Sequence, residues 1–134
     1  MTDIIRIEGI GEVYAEKLKA AGIATTETLL EQGSTREGRQ KIADGTGISH
    51  SLILRWVNHA DLFRIKGVEG QYAELLEAAG VDSIPELAQR NPANLHAALV
   101  EVNEAKNLVR KLPTPEQVAD WVGQAKAMPR AVTH

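Results

Sequence analysis

A stretch near the start of the chain returns 58 residues later, and this repetition constrains the fold more than any other feature. Residues 3–30 laid over 61–88 agree at twelve of twenty-eight positions, where unrelated sequence of ordinary composition gives about two. Arg6/Arg64, Ile7/Ile65 and Gly9/Gly67 form one cluster of identities, and Tyr14 to Gly22 against Tyr72 to Gly80 hold a second. A further echo, Trp56-Val57 with Ala60 against Trp121-Val122 with Ala125, comes at an offset of 65. The second copy therefore carries about seven extra residues, expected near Lys111–Pro115. Self-similarity at this period means two copies of one supersecondary unit.

Each copy reads as helices separated by turns. Gly9 and Gly11 open a turn, after which Tyr14, Leu18 and Ala21 recur on one helical face. Gly22 stops that helix, and Ile23 supplies the apolar contact that accompanies such a stop. Thr25 or Thr26 caps a short helix with Leu29 and Leu30. Ser34 with Glu37 forms a capping box for a helix that ends in Gly45-Thr46-Gly47. Ser49 caps the next, whose stripe is Leu52, Ile53, Trp56, Val57 and Ala60. In the second copy Tyr72, Leu75, Leu76 and Ala79 form the stripe, Gly80 stops it, and Ser83 to Glu86 makes a capping box. Asn91-Pro92 and Thr114-Pro115 start two more helices. No stretch alternates with the period of a strand.

The expected fold is all-α: two repeat units packed as one compact helical body around Trp56 and Trp121. Its boundaries are 1–61 for the first unit, 62–128 for the second, and 129–134 for a flexible tail.

Charge bears directly on function. Fifteen Lys and Arg face eighteen Asp and Glu, a formal net charge of −3. Divided after Leu62, the halves hold seven basic and nine acidic residues, then eight and nine. Neither half has the basic excess that drives counterion release on nucleic acid. Cysteine is absent, which excludes disulfides and thiolate metal sites. No run reaches the ~18 apolar residues of a membrane span, and the first residues lack a leader pattern, so a cytoplasmic protein is expected.

Ile7-Glu8-Gly9-Ile10-Gly11, followed by a helix through Ala15 and Leu18, resembles the hairpin of the helix-hairpin-helix superfamily. In such a hairpin glycines permit a tight turn, Ile10 plugs the helix pair, and free amides at the next helix start face an anion. With Leu18 to Thr25 and Gly45-Thr46-Gly47-Ile48-Ser49, the trio is similar to the helical domains at the C-terminus of the RNA polymerase α subunit and the N-terminus of recombinases. The tandem arrangement, with Arg55-Trp56-Val57-Asn58-His59-Ala60-Asp61-Leu62 and Ala73-Glu74-Leu75-Leu76-Glu77-Ala78-Ala79-Gly80-Val81, resembles the bacterial domain of unknown function family 4332 over about residues 4–127. The superfamily resemblance implies sequence-independent contact with DNA phosphates through hairpin amides.

On that basis the candidate contact residues are Arg6, Gly9, Ile10, Gly11, Lys17 and Lys19, with Arg64 and Lys66 as a second set. Two features oppose a phosphate ligand. Glu12 and Glu16 follow the first hairpin where DNA-binding hairpins favour Lys or Arg, and Glu69 stands where the first copy has Gly11. The second hairpin is therefore expected to lack an amide cradle. Arg6 and Arg64 are expected to pair locally with Asp3 and Asp61, and Trp56, Trp121, Tyr14 and Tyr72 to pack in cores rather than stack on bases. The histidines, His50, His59, His96 and His134, show no metal-ligand spacing, since His50 and His59 would lie over ~13 Å apart along one helix. Ser49-His50-Ser51 and Asp61 supply the residue types of a hydrolytic triad without its geometry. The sequence thus points to a non-enzymatic module without cofactor or metal. A protein partner is placed ahead of weak DNA binding, with no membrane partner.

Overall fold

The computed structural model describes residues 2–133. Among these, a 3₁₀ turn at Ile4–Arg6 is followed by eight helices. They are α1 (Glu12–Ala20), α2 (Thr26–Gly33), α3 (Arg36–Thr46), α4 (His50–Leu62), α5 (Gly70–Ala78), α6 (Ile84–Ala88), α7 (Pro92–Lys106) and α8 (Pro115–Ala127). No strand occurs among the described residues, only a lone antiparallel bridge between Asp3 and Thr25. The chain divides into two compact units. One comprises the residues up to Asp61 together with the segment after Arg130; the other is Leu62–Arg130.

Backbone hydrogen bonds recur in the two units at the offset seen in the sequence. The Ile10 amide donates to Ile7 O at 3.1 Å, and the Val68 amide to Ile65 O at 3.2 Å. At the other end of α1 the Ile23 amide reaches back to Leu18 O and the Gly22 amide to Lys19 O; Val81 to Leu76 and Gly80 to Glu77 do the same after α5. This paired closure needs a left-handed residue just past the helix. Gly22 and Gly80 supply it, with φ of 87° and 92°.

Most caps fall where polar residues precede apolar runs. Thr25, Ser83, Asn91 and Thr114 each accept an amide of the first turn that follows, and Thr114 with Gln117 completes a full capping box. Two expected boxes differ. Thr35, not Ser34, caps α3 by accepting the Gly38 amide at 3.0 Å, while the Ser34 hydroxyl donates backward to Glu31 O. Ser83 makes its half of a box, but the Glu86 carboxylate takes Arg90 Nε instead of closing the other half. In both cases a nearby alternative partner wins over the reciprocal bond.

Each unit buries its own aromatic pair. Trp56 is fully buried with its ring centroid 5.1 Å from that of Tyr14. Trp121 is 2% exposed and lies 5.3 Å from Tyr72. Around Trp121 the second core gathers Leu62, Ile65, Val68, Leu76, Leu99 and Val122, among others.

The extra residues of the second unit do not sit only near Lys111–Pro115. α7 has 15 residues against 11 in α3, and the loop from Asn107 to α8 follows. Asn103 closes this loop: its side-chain amide donates to Val109 O and accepts the Val109 amide. The Tyr72 hydroxyl donates to Lys111 O.

The expected flexible tail is also revised. Val132 is 3% exposed. The Thr133 amide donates to Ser34 O at 2.8 Å, and Arg39 Nη2 donates to Thr133 O at 2.7 Å. A valine and an unsatisfied arginine on the first unit give this segment a reason to dock.

Candidate functional site

The first hairpin is assembled from Ile7 to Val13. Ile7 and Ile10 point inward and are buried, so the turn between them presents backbone outward. Gly9 sits at its tip with φ of 94°. A Cβ there would lie 3.6 Å from Trp56 Nε1, and at Gly67 one would lie 3.1 Å from Trp121 Nε1. The hairpin glycine thus does two things: it takes a left-handed conformation, and it lets the turn rest on an indole edge. Trp56 Nε1 is buried without a hydrogen-bond acceptor.

Gly11 behaves differently from its expected role. Its backbone is extended, φ −85° and ψ −177°, and it precedes α1 without a side-chain cap. No atom lies within 4 Å of where its Cβ would stand. Glu69 holds the same conformation before α5, φ −116° and ψ −175°, likewise without a side-chain cap. Replacement of glycine by glutamate therefore leaves the backbone of the second hairpin unchanged, which corrects the expectation that Glu69 removes the amide cradle. What Glu69 adds is charge. Both helices begin with amides that no side chain covers, the arrangement that attracts an anion or acceptor.

The other candidate residues have varied surroundings. Ile10 is a core plug. Lys19 pairs with Asp3, Nζ to Oδ2 at 3.4 Å, with both side chains about half exposed. Arg6 and Lys17 are exposed. Arg64 donates to Pro129 O at 3.0 Å. The backbone of Lys66 is held at both ends by Gln124, whose Oε1 accepts its amide and whose Nε2 donates to its carbonyl. The Lys66 side chain is left outside.

Acidic groups also flank the first hairpin in the chain: Glu12 and Glu16 are exposed and Glu8 is partly so. The Ile5 amide donating to Asp3 Oδ1 holds that carboxyl below its ordinary range, and Lys19 assists. The Thr2 amide does the same for Glu27. Among the described residues, the exposed large hydrophobic side chains are Val13, 67% exposed, and Ile5, 45% exposed. Val13 lies in the first turn of α1 and Ile5 in the 3₁₀ turn, and these two elements contact each other.

Sequence reasoning missed two residues. Gln124 braces the second hairpin, and only its place one helical turn after Trp121 hints at that. Arg39 is 1% exposed, an unusual site for a cation. Burial, with Arg36 nearby, pulls its pKa down from the ordinary arginine value. Its position among polar α3 residues gave no signal. Among the described residues no three His, Asp or Glu side chains form a group able to hold a metal, and no helix is long and apolar enough to cross a membrane.

No curated protein and no solved structure matches the chain. A family model does, over residues 8–128, which takes in all eight helices. The chain therefore belongs to the family described as Domain of unknown function (DUF4332).

Proposed function

We propose that the chain is a non-catalytic interaction module built from two helix-hairpin-helix units, and that its partner is a protein. The observation that carries this reading is the exposure of Val13 in α1 and Ile5 in the 3₁₀ turn, two elements that contact each other, with Glu12 and Glu16 exposed on the same helix as Val13. Exposed apolar side chains on acidic elements suit a protein surface, which can cover the valine and isoleucine and pair with the acids. Phosphate has no use for the apolar pair and is repelled by the acids. A second reading, weak sequence-independent DNA binding through Gly9 to Gly11, draws support from the uncovered amides of α1.

The two separate experimentally. A photo-crosslinker at position 13 should capture a defined protein in the native host, and one at the exposed position Ala119 should not. Duplex DNA titrated in dilute buffer should bind weakly, with a log–log salt slope of about −2 or shallower, because few basic side chains flank the hairpins to neutralise phosphates. Submicromolar duplex binding at physiological salt with a steep slope would overturn the protein reading.

A further inference from the structure

The segment after α8 is held on the first unit by contacts that include three hydrogen bonds of Thr133. Thr133 donates its amide to Ser34 O at 2.8 Å and its hydroxyl to the same oxygen at 3.2 Å. Its carbonyl accepts Arg39 Nη2 at 2.7 Å. Val132 beside it is 3% exposed. On the receiving side Arg39 is 1% exposed, donates Nη1 to Gly33 O at 2.9 Å, and leaves Nε buried without an acceptor.

A buried guanidinium short of acceptors is costly, and removing Thr133 O would leave a second nitrogen unmet. The Ser34–Arg39 surface therefore calls for an occupant that offers a main-chain carbonyl and a main-chain amide, and the present one buries a valine beside them. Main-chain groups, the Thr133 hydroxyl and the buried Val132 take part in holding the present occupant, so what the surface recognises is a short extended peptide. It is tethered to α8 through Met128, Pro129 and Arg130, none of them helical.

We propose that Gly33, Ser34 and Arg39 form a receptor for an extended Val-Thr segment, filled in cis by residues 131–133. When that strap is released, the same segment of a second copy of the chain fills the receptor. The second copy is the occupant because it carries the one sequence seen to satisfy the site. Exchange of an identical element between copies requires no new contact. Cis occupancy dominates at low concentration, since a short tether holds the segment at an effective concentration in the millimolar range.

The test uses the full chain. Val132→Asp makes the strap a poor occupant while leaving the receptor intact; Arg39→Met spoils the receptor while keeping the strap and the arginine's apolar stem. A synthetic peptide, Met-Pro-Arg-Ala-Val-Thr, should bind saturably to Val132→Asp. It should bind at least about tenfold more weakly to the unaltered chain, where the tethered segment competes, and not to Val132→Asp/Arg39→Met. In sedimentation, Val132→Asp mixed with Arg39→Met should form a heterodimer absent from either alone. Circular dichroism verifies that each variant folds; where Val132→Asp does not, Thr133→Pro releases the strap by removing its amide donor. Equal peptide affinity for the unaltered and released chains, or none for a folded released chain, overturns the receptor. Failure of the mixture to dimerise overturns exchange between copies.

Discussion

The two glycines of the first hairpin look alike in the sequence, yet the structure requires only one of them. Gly9 is left-handed and rests against the Trp56 indole; Gly11 is extended with open space around it. Gly9→Ala should therefore lower stability by about 1–2 kcal/mol, the cost of left-handed backbone for an alanine, while Gly11→Ala should change the urea midpoint little. Equal effects of the two would mean that the turn is not built as described. The same distinction bears on charge. Because Glu69 shares the conformation of Gly11, whatever DNA binding the chain shows should strengthen with Glu69→Lys as well as with Glu12→Lys. A Glu12→Lys effect alone would mean that the second hairpin is blocked by something other than its backbone. Tryptophan burial was legible from helical spacing. Gly-Ile-Gly alone does not distinguish a φ of 94° from one of −85°; the signal lay in the repeat, which keeps glycine at 67 and replaces it by glutamate at 69.

Helix ends were the most readable elements and also the ones where local competition decided the details. The stops at Gly22 and Gly80 and the capping box at Thr114 follow from residue type and position. The cap of α3 moved by one residue because Ser34 has the Glu31 carbonyl within reach, and the Glu86 half-box opened because Arg90 takes its carboxylate; neither partner is visible without the folded helix. At the 3₁₀ turn Asp3 accepts the Ile5 amide, and in the first turn of α2 Glu27 accepts the Thr2 amide. Both carboxyls are held below their ordinary values. A carboxylate with a lowered folded pKa adds stability above its unfolded value, near pH 4, and loses it as pH falls through the folded value. Both groups are largely solvated, so the effect is local. Amide exchange at Ile5, corrected for the intrinsic pH dependence, should lose protection as pH drops below about 4. Asp3→Asn should flatten that profile; an unchanged profile would mean that the carboxyl does not hold the 3₁₀ turn.

At the scale of the whole molecule the sequence suggests two consecutive units and a loose end, and the chain instead builds its first unit from both of its ends. Residues up to Asp61 are joined there by the segment after Arg130, which no repeat offset could show because the segment has no counterpart 65 residues earlier. Stability should follow this non-contiguous arrangement rather than position along the chain. Each unit holds one tryptophan, so Trp121→Phe leaves Trp56 as the reporter of the first unit and Trp56→Phe leaves Trp121 as the reporter of the second. Complete truncation, Trp56→Ala or Trp121→Ala, should cost about 3–5 kcal/mol, as removal of a buried aromatic does. Val132 lies after α8 of the second unit, yet its side chain is buried and its neighbour Thr133 bonds to Ser34 and Arg39 of the first. Burial of one valine is worth about 1.5–3 kcal/mol, and Val132→Asp forfeits it while stranding the Arg39 guanidinium. In urea unfolding followed by single-tryptophan fluorescence, Val132→Asp should therefore lower the midpoint reported by Trp56 more than that reported by Trp121. A larger loss at Trp121 would assign the segment to the unit it follows in sequence, and the docking on Ser34 and Arg39 would have no energetic weight.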